Sequence, residues 1–345
     1  MEHPSAKRPR GPRSKAGKLL VNLVITAVIG FLYFYIALPP INLQSGDFYT
    51  FVGILCVVYV ICALITSGMQ TITSGGGPRE YLRFIKNQCL PVGILFLALI
   101  VVAVVGSIIS LPIFRAADYR DLLTVEDGQF AQDISQISFD KIPTLDQASA
   151  EYLGDRQMGT LSDMVSQFDY SADSTQINYQ GRPVRVAPIA YADIIKWFTN
   201  RGEGLPAYVI VDMVTQEATV VRLTEGMKYS FSEPLNRNIA RHLRFQYPTY
   251  MFGTPQFEIN EEGQTIVMGQ PYWIAPRIVK TIGLFGGEDI CGAVLVDAIT
   301  GESTYYDLAD IPTWVDNVFT PELIMEQYDY HGTLVNGFIN SIFGQ

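Results

Sequence analysis

The sequence predicts a membrane protein: three N-terminal transmembrane helices followed by an α+β extracytoplasmic domain with two repeated β-hairpin/helix units. Long uncharged apolar runs crowd residues 19–113. Lysine and arginine flank those runs unevenly. Within the acidic remainder, GRPVRVAP at 181–188 is repeated as GQPYWIAP at 269–276. The 345 residues are 48% apolar and 17% charged, too apolar for disorder and lightly charged for a soluble domain.

The tail, residues 1–18, sets Lys7, Arg8, Arg10, Arg13, Lys15 and Lys18 against Glu2. LLVNLVITAVIGFLYFYIALPPI then exceeds the ~20 apolar residues a bilayer helix needs. It is too long for a signal peptide's apolar core and leads into Pro39-Pro40 rather than small residues. Two similar runs follow, so spans are expected at about 19–39, 48–67 and 89–113. The tail and the loop 68–88, with Arg79, Arg83 and Lys86, are rich in positive charge, while the loop 40–47 has none. The positive-inside rule puts tail and second loop in the cytoplasm and 114–345 outside, at the plasma membrane. Tyr81, Leu82, Phe84 and Ile85 around Arg83 and Lys86 suggest a short interfacial helix. Gly75–Gly77 lack the lysine and hydroxyl of a phosphate-binding loop and read as a turn. The apolar cores hold no charged side chain, which favours an anchor over a conduit. Asn22 and Thr26, one helical turn apart, are expected to face a neighbouring helix.

Residues 114–345 hold 15 basic and 31 acidic side chains, a balance of −16 that excludes nucleic acid as a partner. Cys291 is their only cysteine, so no internal disulfide forms there. With no N-x-[ST] acceptor either, the composition fits a bacterial surface. Residues 114–174 read as a connecting helical region. Thr144-Leu-Asp-Gln reads as a capping box for a helix ending near Gly154, and a second short helix is expected over 160–168.

The repeat extends past the proline motif. AYVIVDMVTQEATVVRL (207–223) aligns with GAVLVDAITGESTYYDL (292–308), placing Asp212, Thr215, Glu217 and Leu223 on Asp297, Thr300, Glu302 and Leu308. FSEPL (231–235) and FTPEL (319–323) follow in the same order. Two α+β units are therefore expected, 175–262 and 263–345. In each, two β-branched runs flank a turn, which reads as a hairpin whose Asp accepts backbone hydrogen bonds. The proline-bounded strand is expected at a sheet edge. IAYADIIKWFTN (189–200) has helical spacing in the first unit; the second has GLFGGED (283–289) instead. Ser232 and Thr320 are candidate helix N-caps, with Leu235, Ile239 and Leu243 on one apolar face.

The unit resembles PepSY-like domains, which share a helix followed by a hairpin bearing a "vDa-x-TGe" signature. The matching positions are Val211, Asp212, Thr215 and Glu217, then Val296, Asp297, Ala298, Thr300, Gly301 and Glu302. Gln216 stands where the pattern has Gly, and the second copy lacks the preceding helix. The chain as a whole resembles multi-pass membrane proteins of Gram-positive bacteria. The resemblance implies a non-catalytic extracytoplasmic module that restrains or regulates another envelope protein.

Catalytic motifs are absent: no H-E-x-x-H, C-x-x-C or G-x-S-x-G occurs. His242, beside Arg241 and Arg244, is expected on a solvated face, and Cys291 as a buried inert thiol. No cofactor or metal is expected, and VEDG (125–128) and NEEG (260–263) read as solvated turns. Asp212 and Asp297, as paired carboxylates, could hold a cation or share a proton, or simply be turn residues. Trp273, Trp314 and Tyr305 could form an aromatic binding surface, or simply be core. The expected partners are the lipid bilayer and an envelope protein or peptide. The expected function is a membrane-anchored, non-catalytic binding or regulatory module. A subunit of a transport or secretion complex is the alternative, and an envelope hydrolase a third.

Overall fold

A computed structural model describes residues 15–74, 77–126, 128–134, 136–260 and 269–343. Most of the basic tail, Gly75 and Gly76, Asp127 of the first acidic turn and 261–263 of the second lie outside the described residues. The chain divides into two compact units, Met1–Ile108 and Ile109–Gln345.

The first unit is built from α1 (Lys15–Ala37), α2 (Gly46–Ser74) and α3 (Pro78–Ile109). Each contains a stretch long and apolar enough to cross a membrane: Gly17–Ala37, Gly46–Gly68 and Tyr81–Ile109. α1 ends where Leu38 takes φ +52° and two prolines follow. Tyr33 of α1 stacks on Phe51 of α2 (5.7 Å between centroids). Asn22 is fully buried, and its Nδ2–H donates to Gln88 Oε1 of α3 at 2.9 Å. The third helix differs from expectation at both ends. The expected interfacial helix is simply the first turns of α3, which runs unbroken through Pro91. Its far end is Ile109 rather than 113, because Pro112 opens a separate helix at a position where its missing N–H costs nothing.

The second unit begins with α4 (Pro112–Arg120) and a single turn, α5 (Phe130–Asp133). α6 (Gln147–Met158) is capped by Asp146, whose carboxylate accepts from Ser149 N at 2.7 Å. Thr144 is not the cap; its N–H and hydroxyl both donate to Met213 O (2.9 and 3.0 Å). The helix runs past Gly154, which packs directly against the ring of Tyr170. The helix expected over 160–168 is replaced by turns and a short strand.

Two five-stranded antiparallel sheets follow. The first contains β1 (Phe168–Tyr170), β2 (Thr175–Tyr179), β3 (Arg182–Tyr191), β4 (Leu205–Asp212) and β5 (Ala218–Met227), with α7 (Ile194–Asn200) between β3 and β4. After α8 (Ile239–Gln246), the second contains β6 (Met251–Phe252), β7 (Gln256–Asn260), β8 (Gln270–Ile282), β9 (Gly286–Asp297) and β10 (Ser303–Asp307). α9 (Pro321–Thr333) and α10 (Phe338–Phe343) end the described chain. The strand orders correspond: β1 and β2 flank β3 on one side and β4 then β5 lie on the other, and β6 to β10 repeat this around β8. The second sheet thus takes its first two strands from 251–260, upstream of the aligned motif. Both expected hairpins are present as β4–β5 and β9–β10.

The proline strands are central, not at edges. Their prolines sit where no ladder bond is lost. Pro188 lies between the ends of β2 and β1, its carbonyl accepting from Ser171 N, and Pro276 lies between β7 and β6, accepting from Gly253 N. A residue's N–H and C=O point to the same side of a strand, so each missing N–H faces a gap. Pro183 and Pro271 accept from Met213 N and Ala298 N, just beyond the partner strands.

Residues 189–191 pair with β1, so only Ile194–Asn200 is helical, capped by Asp193. FSEPL opens no helix; α8 starts instead at Asn238, whose side chain accepts from Arg241 N. Thr320 does cap α9, accepting from Leu323 N, with Pro321 in the first turn. One apolar core joins the sheets, from Val186, Tyr208 and Val209 of the first to Phe257, Trp273 and Val296 of the second. The outer face of the second sheet, through Ile274 and Leu295, is covered by Val318 and by Leu323 of α9.

Candidate functional site

Asp212 and Asp297 close equivalent hairpin turns with the same bonds. Asp212 Oδ1 accepts from Val214 N and Thr215 N (both 2.8 Å), and Asp297 Oδ1 from Ile299 N and Thr300 N (2.7 and 2.9 Å). The second carboxylate oxygen is also engaged in both: Arg182 binds Asp212 Oδ2 at 3.0 Å, and Gln270 donates to Asp297 Oδ2. Arg182 and Gln270 occupy the same position of the repeated G-x-P motif. Burial works to raise the Asp212 carboxyl, but the N–H groups of Thr215 and Val214 and the Arg182 guanidinium outweigh it and hold it below its ordinary range. The two carboxylates sit in separate sheets, each already holding its own turn.

The three aromatic candidates part company. Trp273 is 0% exposed; its Nε1–H donates to Tyr229 O at 2.9 Å, and its ring meets Phe231 and Phe257 edge-on. Trp314 is half-buried against Tyr272 (5.3 Å) and joins Asp297, Glu302 and Tyr306 around a small cleft of about 140 Å³. Tyr305 faces a different neighbourhood. The Arg277 guanidinium lies 3.9 Å from the Tyr250 ring centre and 5.2 Å from that of Tyr305. Burial and a hydrogen bond to Asp307 push the Tyr305 hydroxyl up to about 12. Asp297 and Trp314 are therefore brought together, while Asp212, Trp273 and Tyr305 are not.

A site that sequence reasoning missed lies beside α7. Glu233 is 2% exposed, yet both oxygens are occupied: Tyr191 donates its hydroxyl to Oε1 (3.0 Å) and Trp197 its Nε1–H to Oε2 (2.7 Å). Burial and the nearby Glu233 carboxylate push the Tyr191 hydroxyl well above its ordinary range. This pins Trp197 as one wall of a groove of about 300 Å³, lined also by Arg201, Leu235 and Arg237. Arg201 stacks 4.5 Å from the Phe198 ring centre and 5.3 Å from that of Trp197, and Arg237 donates to Arg201 O at 2.8 Å. The outer face of α7 is apolar and open: Ile195 is 69% and Phe198 63% exposed, with Ile194 similarly bare, and Leu235 of the groove is exposed too. Helical spacing in IIKWF was legible, but the direction of its apolar face was not. Glu233 itself gave no signal, because its donors lie 36 and 42 residues away in sequence.

Neither His242 nor His331 faces this groove. His242 is half-buried rather than solvated, its Nε2–H donating to Gly301 O (2.9 Å) and its ring 4.6 Å from that of Tyr229. His331 Nδ1–H donates to Arg120 O. Among the described residues, no three His, Cys, Asp or Glu side chains gather as a metal site requires. The groove can bind through apolar contact and guanidinium groups; it presents no nucleophile–base pair.

What this arrangement defines is a chain with three candidate membrane spans and a separate α+β region of two like sheets. No family model, curated protein or solved structure matches it.

Proposed function

We propose that the chain is a membrane-anchored, non-catalytic module whose α+β region lies outside the cell and binds another envelope protein. Three candidate spans support the anchor, and the distribution of Lys and Arg around them supports the orientation. The observation that carries the binding role is α7 with its groove. Contiguous exposed apolar side chains rimmed by charge mark interaction sites, and Trp and Arg dominate binding energies. Ile194, Ile195, Phe198 and Leu235 supply apolar surface, and Lys196, Arg201 and Arg237 supply positive charge in an otherwise acidic region. The partner is a segment combining apolar and acidic side chains. The PepSY-like pattern on both hairpins agrees with a regulatory module of this kind.

A photo-crosslinking residue at Phe198 of the full-length chain, in intact cells, should give one discrete protein adduct. Arg201→Glu and Ile195→Asp should abolish it without lowering the amount of chain in the membrane. An external protease should cut within 114–345 and spare the basic tail. No adduct at Phe198 would overturn the binding role; cutting of the tail alone would overturn the orientation.

One observation favours the alternative of a subunit in a transport or secretion complex. Asn22 Oδ1 and Thr26 Oγ1 are buried in the helical unit without a hydrogen-bond partner. On that reading, crosslinks to another protein form from α1 and none from Phe198.

A further inference from the structure

The part of the α+β region built around Ser110, which follows α3 in sequence, carries an apolar surface that nothing above explains. Ser110, the residue after α3, is a meeting point: Tyr119 of α4 donates its hydroxyl to Ser110 O (2.6 Å). Its own hydroxyl oxygen accepts from Leu284 N and Phe285 N at the β8–β9 tip (2.9 and 3.0 Å). α9 joins the group through Tyr330, whose ring is 4.8 Å from that of Tyr119. α10 packs on α4, with Phe338 set against the cluster of Tyr119, Ile282 and Leu334. The rest of α10 points away from protein: Ile339 is 71% and Phe343 82% exposed, with Ile342 also bare. Leu111, Ile113 and Phe114, at the start of α4, are exposed too. Such side chains are costly to leave in water.

Covalent connection selects the occupant. Only Ser110 and Leu111 separate α3 from α4. At ~3.5 Å per residue, α4 starts within about 10 Å of the place where the span leaves hydrocarbon. Interfacial helices bury their apolar faces about 5–10 Å into that same boundary layer. Charge agrees: Gly332–Gln345 contains no charged residue, in a region that is otherwise strongly acidic.

We propose that α10 and the first turn of α4 form an interfacial contact with the bilayer leaflet from which α3 emerges. α10 is uncharged, and Arg115 at the end of that first turn of α4 is paired with Asp118, so the contact needs no anionic lipid. It rests on the membrane reading of α1–α3 and is independent of the binding role given to α7.

The test uses the full chain in phosphatidylcholine vesicles, with a nitroxide at Ile339→Cys, Phe343→Cys or Phe114→Cys and the four native cysteines replaced by alanine. The labels should lose their relaxation by a water-soluble nickel complex and gain relaxation by oxygen. Hydrogen exchange on the unsubstituted chain in the same vesicles needs no variant, and should give slowed exchange over 338–343. Labels as open to nickel as a dissolved nitroxide, or full exchange of α10 within seconds, would overturn the proposal. So would spin–spin broadening that disappears on dilution with unlabelled chain, because a second copy would then cover the face. A chain that fails to float with the vesicles would overturn the membrane reading itself. A floated chain with water-exposed labels would overturn the interfacial contact alone.

Discussion

Asp212 and Asp297 build the same turn from different neighbours, and the difference falls at one position. Gln216 takes φ +64° where Gly301 takes φ +79°, a left-handed conformation that a side chain adopts only at a cost. Glutamine is tolerated in the first hairpin because its turn is open. In the second, a Cβ on Gly301 would lie 2.2 Å from the Tyr229 ring. Gly301→Ala should therefore destabilise by about 2 kcal/mol or more, combining αL strain with overpacking. Gln216→Gly should change stability by less than ~1 kcal/mol, since relief of strain is offset by a freer unfolded chain. Thermal melts of the full chain check both. Below the same turn, burial lowers the basicity of His242, and its bond to Gly301 O acts the other way without cancelling it. As pH falls below the ordinary histidine value of 6.5, the unfolded chain takes up a proton that the folded chain resists. This part of the stability is present above that value and is lost as pH falls through the lower folded value. His242→Gln keeps a donor toward Gly301 and cannot titrate. Its melting temperature should fall less than that of wild type between about pH 7.5 and 5.5.

At the level of helices and strands, the close seat of α6 makes a sharp prediction. Alanine is normally worth up to ~1 kcal/mol over glycine inside a helix. At Gly154, however, a Cβ would meet the Tyr170 ring at 2.3 Å. Gly154→Ala should thus destabilise by about 1–3 kcal/mol, as overpacked sites do, and Gly154→Ala with Tyr170→Leu should recover part of the loss. Urea titrations of the two variants decide the matter. These packing effects also mark the limit of what was legible in the sequence. The three apolar runs and both hairpins were legible because each is coded locally, by hydropathy or by a D-x-x-T turn between β-branched runs. β1 and β6 were not, since strands of three and two residues exist only through pairing with β3 and β8. Prolines argued for edge strands by removing a donor. That rule failed at Pro188 and Pro276 because the neighbouring side of each sheet is made of two short strands with a gap between them. The FSEPL segment satisfied a helix-start pattern, yet its Glu233 is drawn inward by donors from Tyr191 and Trp197. The candidate groove was invisible for the same reason: it is made by contacts between segments far apart in the chain.

The α+β region holds its own apolar core, so residues 109–345 expressed without the spans should unfold in one cooperative transition rather than melt gradually. What unites its two copies is more specific than that core. They meet through equivalent strands: the Thr175 hydroxyl of β2 accepts from Phe257 N of β7 at 3.1 Å and donates to Gln256 Oε1 at 3.2 Å. A segment after the second sheet then clasps both. Asp316 accepts from Asn178 N and Asn317 donates to Gln176 O on β2. On β7, the fully buried Glu258 accepts from Asp316 N (3.0 Å) and Asn317 N (2.8 Å). Glu258→Ala strands two N–H groups beside β7 and should cost about 2–5 kcal/mol, loosening the seam between the sheets. Glu258→Gln tests the role of the charge. Burial pushes the Glu258 carboxyl above its ordinary value of 4.5, although the N–H groups of Asp316 and Asn317 pull the other way. The protonated carboxyl is therefore favoured in the fold: its contribution is complete below 4.5 and is lost as pH rises through the higher folded value. Glutamine keeps one acceptor and never ionises. The stability of the glutamine variant relative to wild type should rise with pH across that window and level off above it. Denaturant titrations of both proteins through the window would read this directly, and a difference that falls with pH would mean that the buried carboxylate strengthens the seam by its charge.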